Sequence, residues 1–396
     1  MKEVVLVGGV RTPVGNFGGA LRDVTAQEML KIVFMEVLKQ TGINPELLDE
    51  VIAGCIIQSS DAPNIARVSA LMAGVPETVP AYTVQRNCVS SIQAVSSAYQ
   101  AIQTGDGELF LVGGTESMSN APYVLRKARF GYRLRNGDIV DTLWEGLTDP
   151  IVDEIMGHTA ENVAEKYGIT REEQDEYAML SHKKAFRATR EGRFKDEIVV
   201  MQIPKKMAGR DVPPETFAED ECINIGLNKQ MLSLYPTVFK ENGTVTPGNA
   251  CPISDGAAAM LVMSKDKADE LGITPEFYVK SYGYAALSPA YMGEGPIFAV
   301  PKALERANLT IDDMDFVEIN EAFAAQVIPC QRELKIPDEK FNVNGGAIAL
   351  GHPVGATGAK LLVTMMHILK NRDGNLGLVS ACVGGGMGGA IVIERK

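Results

Sequence analysis

Two cysteines, one histidine and one asparagine, each set among glycines or small residues, are the side chains best placed to do chemistry in this chain. Cys88 lies in Asn87-Cys88-Val89-Ser90-Ser91, directly ahead of a stretch of Ala and Ser with helical spacing. A thiol at a helix N-terminus feels the positive end of the dipole, which favours thiolate over a free-thiol pKa of roughly 8.5. His352 is one of only four histidines and sits in the run N-G-G-A-I-A-L-G-H-P-V-G-A-T-G, residues 344–358. Glycine at that density lets backbone and ligand come close, and a helix beginning there turns unpaired N–H groups into the loop. Asn320-Glu321-Ala322-Phe323 puts two polar groups at the end of a strand over 316–319, and Cys382 precedes the glycines of residues 384–389. Taken singly, each has a plainer reading: a core cysteine, a turn with a surface histidine, a strand-end cap. The four together resist it.

The elements that must position these groups alternate in type. Residues 4–7 and 109–113 read as buried β-branched and apolar strands, and 51–57 as another. Residues 25–40 carry apolar side chains at helical spacing behind Thr25, a good N-cap. Helices are also expected over 65–73, 91–104 and 359–369. Strands alternating with helices imply βαβ units and a mainly parallel sheet. Residues 120–243 differ: Arg126, Lys127, Arg129, Arg133 and Arg135 cluster there, and 159–167 and 171–190 are charged amphipathic helices. This reads as an inserted, more solvated unit, its basic cluster a subunit-contacting loop in preference to a phosphate attractor. The chain also echoes itself. Ile43 matches Leu309 at an offset of 266, and Asp106 matches Asp373 at 267. Near-equal offsets point to a duplicated half. Carried to Cys88, the offset reaches Gly355, three residues from His352, so nucleophile and imidazole are expected at equivalent helix starts facing one crevice.

Size and composition set the outer bounds. At 396 residues, two or three domains are expected. A net charge of −12 argues against nucleic acid and anionic membranes as partners. No run approaches a membrane span, and neither end carries a signal peptide or a retention sequence, so a cytoplasmic location is expected. The six cysteines include no C-x-x-C pair, which leaves no usual zinc spacing and no disulfide framework.

These segments together resemble the thiolase family over essentially the whole chain. Residues 11–17, 113–119, 156–168, 243–250 and 292–296 add to the match. The resemblance implies an α/β thiolase fold of duplicated βαβ halves in five layers, αβαβα. It divides the chain into an N-terminal half (1–119 with 244–270), an inserted loop domain (120–243) and a C-terminal half (271–396). It implies reversible Claisen exchange between acyl-CoA thioesters, two acetyl-CoA giving acetoacetyl-CoA and CoA, with no metal and no redox cofactor. Cys88 would carry the acyl group, His352 would take its proton, and Cys382 would be the second acid/base. Asn320 would hold a water at one oxyanion site, and the N–H groups of Cys88 and Gly384 would form the other. Leu147, Met156, Phe239, Ala250, Cys251, Met292 and Phe323 fall at substrate or CoA positions, and the chain is expected to form a dimer or tetramer. Departures from the family pattern are Ser91 for a common glycine, Ile155 for a frequent histidine, Asn224 for a frequent arginine, and Cys251-Pro252 for Ser-Gly. Rival readings are a degradative thiolase of broader chain length and a non-catalytic CoA-binding scaffold. If Cys88 and Cys382 share a pocket, oxidation could join them.

Overall fold

The computed structural model describes residues 2–207 and 210–396. Its centre is a sheet of ten strands, nine of them on one continuous path. These are β1 (Val4–Arg11), β2 (Glu50–Gly54), β3 (Ala81–Val84), β4 (Leu109–Ser117), β5 (Ser254–Ser264), β6 (Phe277–Ala286), β7 (Phe316–Ile319), β8 (Leu376–Val383) and β9 (Met387–Arg395). Their spatial order is β7-β8-β9-β6-β1-β5-β4-β2-β3. Only β2/β3, β2/β4 and β7/β8 are parallel. The expectation of a mainly parallel sheet is therefore corrected to a mixed one. One cause is local: β8 returns directly as β9 through Gly384–Gly386, and so short a link permits only antiparallel pairing.

Helices α1 (Ala26–Thr41), α2 (Ile65–Met72), α3 (Ser90–Thr104), α4 (Met156–Tyr167), α5 (Arg171–Arg190), α6 (Gly295–Ala307), α7 (Ala324–Glu333) and α8 (Thr357–Asn371) complete the frame. The strand alternation decides the layering. Leu109 and Leu111 of β4 face α1 and α2, whereas Phe110 and Val112 face α3 and α8. In the second half Val317 and Leu378 face α6 and α7, and Val379, Ala381 and Ile391 face α3 and α8. Both faces of each half-sheet are buried, which is why β4 reads as an unbroken apolar run. The result is five layers with α3 and α8 in the middle.

The duplication reaches individual bonds. Asp49 Oδ2 accepts from the N–H groups of Glu108 and Leu109 at 2.7 and 2.9 Å. Asp315 Oδ2 accepts from Asn375 and Leu376 at the same 2.7 and 2.9 Å. The counterpart of β3 has shrunk to a single bridge, Val317 with Phe341.

The segment between β4 and β5 is pinned to the core by the buried Arg11. Its guanidinium meets Glu197 at 2.6 Å and Asp220 at 2.7 and 2.9 Å. Removing either carboxylate would leave the buried cation with one partner, and removing both would strand it.

Candidate active site

Cys88 lies two residues ahead of α3, behind Asn87, whose φ of +41° is in the left-handed region that Asn tolerates. That turn aims the Asn87 amide at the far loop, where Nδ2 donates to the Gly384 carbonyl at 2.7 Å. The N–H groups of Gly384 and of Cys88 itself lie near the Cys88 sulfur and favour its charged form. Gly385 and Gly386 have φ of +89° and +76°, which fixes this turn as a glycine turn. Cys88, the expected nucleophile, and Gly384, an expected oxyanion donor, are thus brought together.

The thiol is not lowered as its helix position suggested. Burial pushes it up to about 11, and the two N–H groups only partly offset that. Desolvation, which acts against any charge, outweighs the helix start here.

His352 is buried, with its N–H on Ser254 Oγ at 3.1 Å. Its Nδ1 lies 2.6 Å from Thr357 Oγ1, and that hydroxyl donates to the Pro353 carbonyl at 3.0 Å. The hydroxyl proton being committed, its oxygen accepts from Nδ1–H, and Nε2 keeps the free lone pair. Burial, aided by the Lys360 cation, pushes the imidazole down to about 3, so it is neutral at physiological pH. Val354, two residues on, packs in the same apolar cluster as Cys88 and Leu147.

Asn320 continues β7 and donates its N–H to Ser380 O at 2.9 Å, beside the end of β8 that carries Cys382. Both side-chain polar atoms of Asn320 are buried, and neither has a partner within the described residues. Such a group suits an amide that binds water or substrate. Glu321 beside it is spent on structure, accepting from Ser181 Oγ at 2.6 Å, Tyr177 Oη at 3.0 Å and Asn342 Nδ2 at 3.0 Å. Burial raises the Cys382 thiol well above its ordinary value, and the neighbouring thiols of Cys88, Cys330 and Cys251 add to the shift.

Ala250, Met292, Phe323, Cys382, Met156 and Phe239 form one cluster. Phe239 and Phe323 meet edge to face with centroids 6.3 Å apart, and Met156 Sδ would lie 3.2 Å from a Cβ on Gly384. Leu147 joins this wall through its carbonyl, which accepts from Met156 N–H at 2.8 Å. Cys251 is held by its N–H on Ala322 O at 2.9 Å, and its thiol is raised to about 12 by burial, with Cys88 and Cys222 as further causes. Asn224 lies elsewhere, its N–H on His182 Nδ1 at 3.2 Å.

Sequence reasoning passed over Thr357 and Ser254. Thr357, five residues after His352 in the glycine run, was visible as the one hydroxyl able to reach back. Ser254 carried no signal.

Residues 4–266 match the thiolase N-terminal domain and residues 273–395 the thiolase C-terminal domain. The chain is 49% identical to an acetyl-CoA acetyltransferase of Syntrophomonas wolfei, over 99% of both chains. It is 46% identical to a probable acetyl-CoA acyltransferase of Staphylococcus aureus over the full length of both. Its fold is similar to the crystal structure of the Bacillus anthracis acetyl-CoA acetyltransferase, with a TM-score of 0.96, 45% identity and coverage of 100% and 99%. It is also similar to human mitochondrial 3-ketoacyl-CoA thiolase in complex with CoA, with a TM-score of 0.95, 40% identity and coverage of 100% and 98%. With both domains matched and full-length relatives well above 30% identity, the chain belongs to the thiolase family.

Proposed function

We propose that this thiolase interconverts two acetyl-CoA with acetoacetyl-CoA and CoA through an acyl thioester on Cys88. The observation that carries the proposal is the junction of the Cys88 turn with the Gly384 loop, where Asn87 Nδ2 donates to the Gly384 carbonyl at 2.7 Å and the Gly384 and Cys88 N–H groups lie near the sulfur. The resting pair is neutral thiol and neutral imidazole, because burial disfavours both ions. The proton therefore passes to His352 Nε2 as the sulfur attacks the thioester carbonyl, and the negative charge ends on that carbonyl oxygen instead of the sulfur. The N–H groups of Cys88 and Gly384 receive it; one such donor is worth about 3–4 kcal/mol. CoA leaves as its thiolate, and His352 keeps the Cys88 proton on Nε2. Once acyl transfer is complete, that thiolate takes the proton of Cys382 and departs as CoA thiol. In the second half, the Cys382 thiolate removes a proton from C2 of the incoming acetyl-CoA. Asn320 holds a water that, with His352 Nε2–H, donates to the enolate-like oxygen, and the carbanion attacks the acyl-Cys88 carbonyl. Cys88 thiolate departs and takes its proton from His352, while Cys382 keeps the C2 proton, so all three groups return to their resting forms. No step calls for a metal.

The relatives named as acetyl-CoA acetyltransferases support the acetyl substrate, as does the pocket wall of Met156, Phe239 and Phe323. The likeness to a 3-ketoacyl-CoA thiolase, near-equal in fold though lower in identity, supports a second reading with broader chain length. Thiolysis rates on four- and ten-carbon 3-ketoacyl-CoA separate them: a strong preference for four carbons is expected. Mass spectrometry after mixing with excess acetyl-CoA should find the acetyl group on Cys88. A chain that never becomes acylated by excess acetyl-CoA, and whose Cys88 resists iodoacetamide even at pH 10, would be a scaffold and not an enzyme.

Among the described residues no helix is long and apolar enough to cross a membrane. That and the charge balance support a cytoplasmic enzyme. Phe130 and Leu134, about nine-tenths exposed within the basic segment, support a dimer or tetramer built partly on that segment.

A further inference from the structure

Helix α8 begins with no side-chain cap of its own: Ala356 occupies the N-cap position. Four N–H groups at such a start have no partner within the helix. One of them, Ala359 N–H, donates at 2.8 Å to Ser91 Oγ, a buried hydroxyl on the first turn of α3 and so on the other half of the molecule. The helix that follows the imidazole loop is therefore capped by the helix that follows the nucleophile.

The contact can exist only because the two helix starts are unusually close. A Cβ on Gly358 would lie 2.6 Å from Ile92 Cγ1 and 3.0 Å from Ser91 Oγ. A Cβ on Gly114 would lie 2.8 Å from Ser91 Cβ and 2.3 Å from the Gly355 carbonyl. There is room for a hydroxymethyl group at position 91 and for little more. The positive ends of two helix dipoles also meet here, and an oxygen between them offsets their repulsion.

We propose that Ser91 is a positioning residue that holds the base at a fixed distance from the nucleophile. The linkage is short and continuous. Cys88 is three residues from Ser91; Ser91 Oγ takes Ala359 N–H; Thr357, two residues earlier on the same turn, holds His352 Nδ1 at 2.6 Å. Moving the first turn of α8 relative to α3 moves Nε2 relative to the sulfur. Proton transfer is steep in donor–acceptor distance, so the loss falls on the acylation step and spares CoA binding. A glycine at position 91 would leave Ala359 N–H without this acceptor and the two halves joined there by packing alone.

The inference rests on the assignment of Cys88 and His352, and the experiment separates the two. Acetylation of Cys88 in the unmodified enzyme is read first, and its absence overturns that assignment. Ser91→Ala, which removes only the oxygen, is then expected to slow single-turnover acylation about tenfold, change KM for acetyl-CoA by less than twofold, and speed hydrogen exchange at the Ala359 amide. Ser91→Cys keeps the shape with a weaker acceptor and should lie between the two. It also carries the test if Ser91→Ala does not fold. Acylation within twofold of the unmodified enzyme in a folded variant overturns the proposal. So does a loss shared equally between kcat and KM, which would mark Ser91 as a plain structural residue.

Discussion

The two halves place matching residues at matching strand ends and use them in opposite ways. At the registers given by the duplication, Gly54 corresponds to Asn320 and Thr115 to Cys382. In the N-terminal half these ends are closed. Thr115 Oγ1 donates to Ala26 O at 2.9 Å, and Glu116 accepts from the N–H groups of Ile57 and Gly355, both at 2.9 Å. Gly54 has no side chain, and a Cβ there would strike Ser90 at 2.7 Å. In the C-terminal half the ends are left open: Asn320 has no side-chain partner within the described residues, and Cys382 holds a buried thiol. One half closes these ends and contributes Cys88, the proposed nucleophile, from a helix start alone. The other carries the cost of unsatisfied polar atoms, which is where proteins commonly depart from good packing for function.

The largest test of that division is Cys382→Ala. A lost acid/base group should lower kcat by about 10⁴-fold, while acetylation of Cys88, a step that does not use Cys382, persists. Loss of acetylation as well would mean that the open end serves the nucleophile too. The second test concerns how the halves meet. With the Cys88 thiol near 11 and His352 near 3, alkylation of the free enzyme by iodoacetamide should rise about tenfold per pH unit from pH 7 to pH 10, as thiolate is drawn from a neutral thiol. A plateau between pH 5 and pH 8 would reveal a preformed thiolate–imidazolium pair and contradict the neutral resting state. Third, Asn320→Ala should cost about 10²–10³ in kcat with the melting temperature little changed. A larger drop in stability than in rate would reassign Asn320 to packing.

Much of this was legible before any coordinates. The offset of 266 to 267 foresaw that α3 and α8 are counterparts, because a duplicated half keeps the spacing between strand and helix. The glycine runs marked the loops, since close approach leaves few other residues possible. What escaped depended on distance across the fold. Ser91 showed only as a departure from a common glycine, and its bond to Ala359 spans 268 residues. Ser254 sits 98 residues from His352, with no local pattern to single it out. The Cys88 shift was read with the wrong sign because a helix start is a local feature whereas burial is a property of the whole crevice. The mixed sheet was missed for a related reason: alternation of strand and helix says nothing of the direction in which β5 returns after the long insertion.

The smallest expected effect is the most telling about the closed half. Thr115→Val keeps the shape at the counterpart of Cys382 and deletes the hydroxyl that serves the Ala26 carbonyl at 2.9 Å and reaches Gly256 O at 3.4 Å. Leaving a buried carbonyl short of a donor should cost about 1–2 kcal/mol in a urea titration. The rate should stay within about twofold, because Thr115 faces α1 and not the crevice. The opposite result, stability kept and rate reduced tenfold, would show that the N-terminal strand ends also tune the chemistry. The contrast would then be one of degree, with Thr115 acting on the glycine loop through Glu116, its neighbour on β4 and the acceptor for Gly355.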